Sequence, residues 1–271
     1  MVNPLGSAKC THKILAVYYT LSNLPPYMRS NIDHMQLVLL CKEKYLKTHG
    51  SSKIFGKLVS DVQQLEEKGI KGANGETIKG TVCAIVGDNL GSHMIGGFNE
   101  CFSATYFCRY CLISKYEFLN NPLFMAELRN PMNYYIHTNS NENTYGLKSD
   151  SIFNSLSHFH VANPGLPPCL GHDLFEGVVA YDVQLYLQYF VSEGWFSFGE
   201  LNVALVNFKF KGSDARDKPC PVNPVKDRLV GNAVQNWNML RFIPLVIFRH
   251  CENSDPIWNQ LILLKLICDH I

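Results

Sequence analysis

The chain has 271 residues, of which 46% are hydrophobic and 17% are charged, a composition typical of a globular protein with a sizeable core. Its 24 basic and 23 acidic residues give a net charge of +1, so the chain lacks the general attraction for phosphate that stand-alone DNA-binding domains have. Ten cysteines in so long a chain, with no charged-then-apolar leader, indicate buried thiols in a reducing compartment rather than a secreted disulfide scaffold.

The N-terminal part of the chain contains two short apolar runs. We expect a loop over residues 3–11 and a strand over residues 13–20, which Pro25 and Pro26 end. A second strand is expected over residues 35–41.

A helix and a buried strand are expected next. Ser51 and Ser52 are candidates to cap a helix over residues 53–68, which Gly69 ends. A turn-rich link over residues 72–80 then leads into Thr81–Val86, whose β-branched residues predict a buried strand. Asp88 follows this strand at its end, a position where ligand-binding side chains commonly lie.

Cysteine and histidine spacing predicts one half of a zinc site. Cys108 and Cys111 are three positions apart, so two thiolates can bind one tetrahedral ion from a tight turn. Two further ligands must come from elsewhere in the chain. The available side chains downstream are His158, His160, Cys169 and His172.

The last motif opens a helical pattern. His172 and Glu176 are four positions apart, which places both on one face of an α-helix. If Asp88 lies opposite, the carboxylates of Asp88 and Glu176 could share divalent cations, because Mg²⁺ and Mn²⁺ prefer oxygen ligands. The polar, Asn-rich residues 120–151 predict an exposed insertion or flexible loop, residues 212–224 a second loop, and residues 225–271 mostly helix.

Taken in order, these motifs resemble the catalytic domain of animal CACTA/EnSpm-type DDE transposases. The segments that carry the resemblance are Val2–Ser7, Val17–Pro25, Gly87–Asn89, Phe107–Ile113, Gly171–Gly177 and Val230–Leu245. A more distant similarity of plan extends to the recombination-activating recombinase, which also has a Cys-x-x-Cys about twenty residues after its second Asp. Here Cys108 follows Asp88 by 20 residues.

The resemblance implies an RNase H-like α/β fold in which three acids hold two Mg²⁺ or Mn²⁺ ions for cutting and joining DNA strands. Asp88 corresponds to the second acid and Glu176 to the third. Cys108 and Cys111 correspond to the thiolate half of a structural Zn²⁺ site, with the choice among His158, His160 and His172 open. The expected domains are residues 1–100, a partial core; 101–170, a zinc-stabilised insertion; and 171–271, the Glu-bearing helix and a helical C-terminal part.

The first acid of the family is expected just before the Asn3–Gly6 segment, and the sequence begins at Met1. We therefore expect an RNase H-like core that lacks its first strand, and a transposon-derived protein with impaired catalysis. Asp33 is the only acid before position 43, and its place ahead of a later strand argues against it as a substitute. The alternatives are an active transposase core, if an upstream Asp is encoded, and a non-catalytic zinc-stabilised binding module.

Each candidate residue also has an ordinary structural interpretation. Asp88 can form a turn, Glu176 can favour a helix N-terminus, and histidines at alternate positions can be surface residues. The resemblance implies DNA as a partner, a nuclear location and a possible homo-oligomer. No apolar stretch approaches the roughly 20 residues that span a bilayer, so no membrane role is expected.

Overall fold

The computed structural model describes residues 14–121, 123–141, 144–247 and 254–270, which form a mixed α/β protein, about half helical with two small sheets. The chain divides into two units, Met1–Pro167 and Pro168–Ile271. The loop predicted over residues 3–11 and the Val2–Ser7 motif lie outside the described residues.

Unit 1 begins with the two predicted strands. Strand β1 (Ile14–Tyr19) pairs antiparallel with β2 (Gln36–Lys42), with Ile14 opposite Lys42 and an irregularity in register after Val17. A short helix α1 (Pro26–Arg29) and a 3₁₀ turn (Ile32–His34) connect them. Both strand predictions are confirmed.

Helix α2 extends over Glu43–Glu67 with a kink at Gly50, and the predicted helix over residues 53–68 corresponds to the part after the kink. Gly50 has φ 78° and ψ 164°, a conformation that only glycine adopts easily, and it interrupts the helix where serine caps were expected. At the other end Gly69, with φ 69°, ends the helix as predicted.

The strand predicted over Thr81–Val86 is wrong. A small hairpin precedes it, formed by two strands of two residues each, β3 (Ile70–Lys71) and β4 (Thr77–Ile78). Residues 79–88 have no regular secondary structure. A strand exists only by pairing, and within the described residues this segment pairs with no other strand. The Ile85 N–H instead donates to the Gly165 carbonyl over 2.8 Å, and Val86 is 71% exposed.

The Asn-rich stretch 120–151 is not a loop throughout. Helix α5 (Pro131–Thr138) lies within it, because Asn130 and Asn133 form a reciprocal capping box and Pro131 occupies the first turn. Tyr134 of this helix is 1% exposed. The remaining elements of unit 1 are α3 (Asn89–Ile95), α4 (Lys115–Asn120), a 3₁₀ turn (Ile152–Ser155) and an irregular π-type turn (Val161–Gly165).

The core of unit 1 forms where α2 packs against the β1–β2 hairpin and against residues 152–166. Its largest buried side chains are Phe55, Phe98, Tyr134, Phe153 and Leu166. The buried carboxylate of Glu66, at the end of α2, binds the hydroxyl of Thr81 and the N–H of Ser157. Glu66 therefore fixes the extended segment before Asp88 to the helix.

Unit 2 is helical. A π-helical segment (Leu170–Val178) leads into α6 (Val179–Ser192), and α7 (Phe198–Asn207), a 3₁₀ turn (Gly212–Ala215), α8 (Ala233–Ile247) and α9 (Pro256–Asp269) follow. The loop predicted over residues 212–224, which contains the 3₁₀ turn, and the mostly helical region predicted over residues 225–271 are confirmed for the described residues. No helix among these residues, or in the described part of unit 1, has the length and apolar character needed to cross a bilayer.

Substitution Glu66→Gln is expected to destabilise unit 1 in a pH-dependent way. Burial alone raises the pKa of this carboxyl, but hydrogen bonds from Thr81 and two backbone N–H groups outweigh it and lower the pKa. A lowered pKa stabilises the folded state above the unfolded value of about 4.3, and this stabilisation is lost as the pH falls. We expect the free energy of unfolding to fall by about 1.5–3 kcal/mol from pH 7 down to about pH 4, and this loss to narrow as the pH drops further. Denaturant unfolding followed by circular dichroism measures it.

The neighbouring exposed residue gives the matched control, since Glu67→Gln removes the same charge from the same helix end. Two results would contradict the stabilising role of Glu66. One is an equal fall in the free energy of unfolding for Glu66→Gln and Glu67→Gln, and the other is a fall for Glu66→Gln that does not depend on pH.

Substitution Phe190→Ala is expected to destabilise unit 2 by about 3–5 kcal/mol, because it opens a cavity in the core. Phe190 is fully buried and stacks on Trp195 at a ring distance of 4.7 Å. All three tryptophans of the chain lie in unit 2, so tryptophan fluorescence during unfolding reports this unit. The control Val206→Ala, at a side chain that is 74% exposed, should change stability by less than about 0.5 kcal/mol. A similar loss of stability in Phe190→Ala and Val206→Ala would refute the placement of Phe190 in the core of unit 2.

Candidate functional site

Asp88 caps a helix. It follows the extended segment 79–88 and precedes α3, and its Oδ1 accepts a hydrogen bond from the Gly91 N–H over 2.6 Å. Aspartate is among the best residues at this position because it binds an N–H that has no partner inside the helix. The next residue, Asn89, accepts a 2.5 Å hydrogen bond from the guanidinium of Arg109. The structure therefore ties the region of Asp88 to the Cys108–Cys111 turn.

Glu176 also contacts a helix N-terminus. Its Oε1 accepts a hydrogen bond from the N–H of Ala233, the first residue of α8, over 3.1 Å. Glu176 lies in the π-helical segment, where hydrogen bonds span five residues, and the α-helix begins only at Val179. The helix predicted here is therefore π-helical rather than α-helical. Four residues make just under one turn of such a helix, so His172 and Glu176 still lie near the same face. Asp88 belongs to unit 1 and Glu176 to unit 2, and their assignment as catalytic acids stays a prediction.

Cys108 and Cys111 are brought together. Their Sγ atoms are 3.4 Å apart, and the Tyr110 N–H points at the Cys108 sulfur over 3.3 Å. Two Zn–S bonds of about 2.3 Å at a tetrahedral angle hold their sulfurs about 3.8 Å apart. The two thiols therefore fit the geometry of a zinc half-site after a shift of a few tenths of an ångström.

The Cys108–Cys111 turn is held in place by the residues opposite it. The N–H of Arg129 donates to the Tyr110 carbonyl over 2.8 Å, and Cys111 forms an isolated antiparallel bridge with Leu128. The Arg129 side chain adds a 3.0 Å hydrogen bond from Nε to the Cys108 carbonyl. These contacts fix the turn before any metal binds.

The charges in the turn depend on one another. Burial raises the pKa of the Cys111 thiol, and burial lowers the pKa of the Arg129 guanidinium. The neighbouring charges of Cys108 and Cys111 favour the charged form of Arg129. A zinc ion would displace the thiol protons, so metal binding here releases protons.

Two of the histidines predicted to complete the site, His158 and His160, belong to unit 1 and form no metal-holding group with the cysteine pair. His158 is exposed, and its backbone N–H contacts Glu66 over 3.4 Å. The Nδ1 of His160 accepts a hydrogen bond from the Ala162 N–H over 3.1 Å, and its ring packs edge-on against Tyr134. Burial lowers the pKa of His160, which keeps its imidazole neutral, as a metal ligand must be.

A second pair of possible metal ligands, a cysteine and a histidine, lies at the start of the π-helical segment. The Sγ of Cys169 is 3.1 Å from Nδ1 of His172, and the carboxylate of Asp173 accepts the Cys169 N–H over 2.8 Å. Cys169 is one of the available side chains named from the sequence, and the choice of ligands there stays among the histidines, although the Cys-x-x-His spacing favours the pair. Within the described residues, no group of three or more His, Cys, Asp or Glu side chains is arranged to hold a metal ion. Neither pair is therefore a complete metal site among these residues, and the zinc site stays a prediction.

Two arginines of the site escaped the sequence analysis. Arg109 and Arg129 are 5% and 6% exposed. Arg109 lies inside the Cys-x-x-Cys motif, where its basic charge was visible. Nothing in the polar stretch around Arg129 indicated that its side chain is buried, since its partners are carbonyl groups distant in sequence.

No family model, curated protein or solved structure matches this chain. The functional argument therefore depends on the motifs and on the geometry within each unit.

Substitution Cys111→Ser is expected to remove the bound zinc. Serine leaves one thiolate in the turn, and a structural site needs four ligands. Elemental analysis after dialysis should find about one zinc per wild-type chain and almost none in Cys111→Ser. Cys83→Ser, which changes an exposed thiol, is the control and should retain the metal. Full zinc content in Cys111→Ser would exclude this half-site.

Proposed function

We propose that this chain is a transposon-derived, DDE transposase-like protein with an RNase H-like core and a zinc-stabilised insertion. The observation that carries the proposal is the ordered motif set: Asp88 after an extended segment, a preformed Cys108–Cys111 turn 20 residues later, and Glu176 near a helix start. None of these motifs is specific by itself. Their shared order and spacing is what the resemblance rests on.

The order of elements in unit 1 supports the proposed fold. An antiparallel strand pair, a long helix and an extended segment ending at Asp88 follow one another. In an RNase H-like sheet this extended segment pairs with the first strand, and the described residues offer no such partner.

The proposed chemistry is metal-dependent DNA strand cleavage and transfer. Two Mg²⁺ ions activate the attacking hydroxyl and stabilise the leaving oxygen, and three carboxylates position them. The 271 residues contain candidates for two of these acids, Asp88 and Glu176. Two carboxylates hold at most one cation well, so we propose cation binding with impaired cleavage for this chain. DNA as partner, a nuclear location and a possible homo-oligomer are part of the same proposal.

A second candidate function is a non-catalytic, zinc-stabilised binding module. The observation that favours it is that both Asp88 and Glu176 cap helix N-termini, which is a sufficient structural reason for each carboxylate. In this case zinc binds but Mn²⁺ does not bind at the two acids.

Substitutions Asp88→Asn and Glu176→Gln should each weaken Mn²⁺ binding by at least about tenfold, because each removes an anionic ligand. Both replacements keep an amide oxygen that can accept the capping hydrogen bond, and asparagine caps helices as well as aspartate does. Electron paramagnetic resonance of free Mn²⁺ measures the binding directly.

Asp33→Asn is the control and should leave Mn²⁺ binding unchanged, since Asp33 is exposed and is not one of the two proposed acids. Unchanged Mn²⁺ affinity in Asp88→Asn and Glu176→Gln would reject the transposase-like site and favour the zinc-stabilised module. In a plasmid-nicking assay with Mn²⁺ we expect no cleavage by the 271-residue chain. Nicking that Asp88→Asn abolishes would instead establish an active transposase core.

A further inference from the structure

Unit 1 contains a cavity beside the Cys108–Cys111 turn. Its volume is about 180 Å³, well above the roughly 10–15 Å³ that one water requires. Arg109, Arg129 and Tyr110 line it together with apolar residues that include Val161 and Leu166. The cavity therefore combines two cationic side chains with a largely apolar wall.

The guanidinium of Arg129 has an unused donor in this cavity wall. Nε donates to the Cys108 carbonyl and Nη2 to the Tyr145 carbonyl, over 3.0 and 2.5 Å. Nη1 is buried and has no hydrogen-bond partner. No carboxylate among the described residues forms an ion pair with Arg129. A buried cation without a carboxylate and with an open donor is costly, because buried charges are normally paired.

Arg109 brings a second positive charge to the same wall. It is 5% exposed, and its guanidinium is oriented by Asn89 and lies 4.5 Å from the centre of the Tyr110 ring. Two guanidiniums supply a charge of about +2 and a set of planar, fork-shaped donors. The apolar residues of the lining lower the local dielectric constant, which strengthens the attraction of the guanidiniums for an anion.

We propose that this cavity binds a phosphate group through Arg109 and Arg129. A phosphate monoester carries a charge of about −1.5 to −2 and three acceptor oxygens, which matches two guanidiniums better than a single carboxylate does. The phosphate is either free in solution or part of a nucleic acid. The site is defined by the cavity alone, so it does not require the proposed transposase ancestry.

Calorimetric titration of inorganic phosphate into the purified chain tests this site. We expect saturable binding that weakens at least about tenfold in Arg129→Met, which removes charge-assisted hydrogen bonds. Lys53→Met is the control, because it removes the same charge from an exposed position of α2 and should leave binding unchanged.

Arg129→Met also removes hydrogen bonds to two carbonyls and can unfold unit 1, so a second variant is needed. Ala162→Phe fills the cavity and leaves both guanidiniums in place. It should weaken phosphate binding at least about tenfold while circular dichroism stays unchanged. Wild-type phosphate affinity in Ala162→Phe, no saturable binding by the wild-type chain, or acetate binding as tightly as phosphate would each overturn the proposal.

Oligonucleotides with and without a 5′-phosphate distinguish the sources. Binding that needs the 5′-phosphate and competes with inorganic phosphate supports a terminal phosphate as the ligand. Equal binding of both oligonucleotides, with the same competition, supports a backbone phosphate. Binding of inorganic phosphate alone supports a free phosphate. Oligonucleotide binding that persists in saturating phosphate and in Ala162→Phe would contradict a nucleic-acid phosphate at this cavity.

Discussion

The buried guanidinium of Arg129 is the group on which the candidate site in unit 1 depends. One side chain binds the carbonyls of Cys108 and Tyr145 and lies 5.3 Å from the centre of the Phe98 ring. It thereby holds the Cys108–Cys111 turn against the core. Burying this charge without a carboxylate partner is costly, and the phosphate proposed for the cavity would offset that cost.

The structural role of the two acids is compatible with the chemical role proposed for them. Asp88 and Glu176 each accept a hydrogen bond at a helix N-terminus. A carboxylate has about four lone-pair sites, so one such bond does not exhaust its capacity to bind a cation. The capping contacts also fix the rotamer of each side chain, which is what a metal ligand requires.

Local sequence signals predicted the elements that need only local information. Neighbouring residues alone determine three of these signals: the apolar runs of β1 and β2, the helix stop at Gly69 and the helical composition of residues 225–271. Thr81–Val86 failed because a strand depends on a partner, which propensity does not contain. The α5 helix was hidden because its asparagines are typical of loops as well as of caps.

The candidate site was predictable to a similar extent. The sulfur pair follows from Cys-x-x-Cys spacing, since a tight turn fixes the distance between the two side chains. The role of Arg129 could not be predicted, because its partners lie 16 and 21 residues away and are backbone carbonyls. The π-helical form of Leu170–Val178 was also invisible, since its apolar pattern fits an α-helix equally well.

X-ray absorption at the zinc edge tests the central claim, that the Cys108–Cys111 turn braced by Arg129 is half of a zinc site. The account predicts about two sulfur ligands at about 2.3 Å and about two nitrogen ligands at about 2.0–2.1 Å. A spectrum with only nitrogen and oxygen ligands would contradict it.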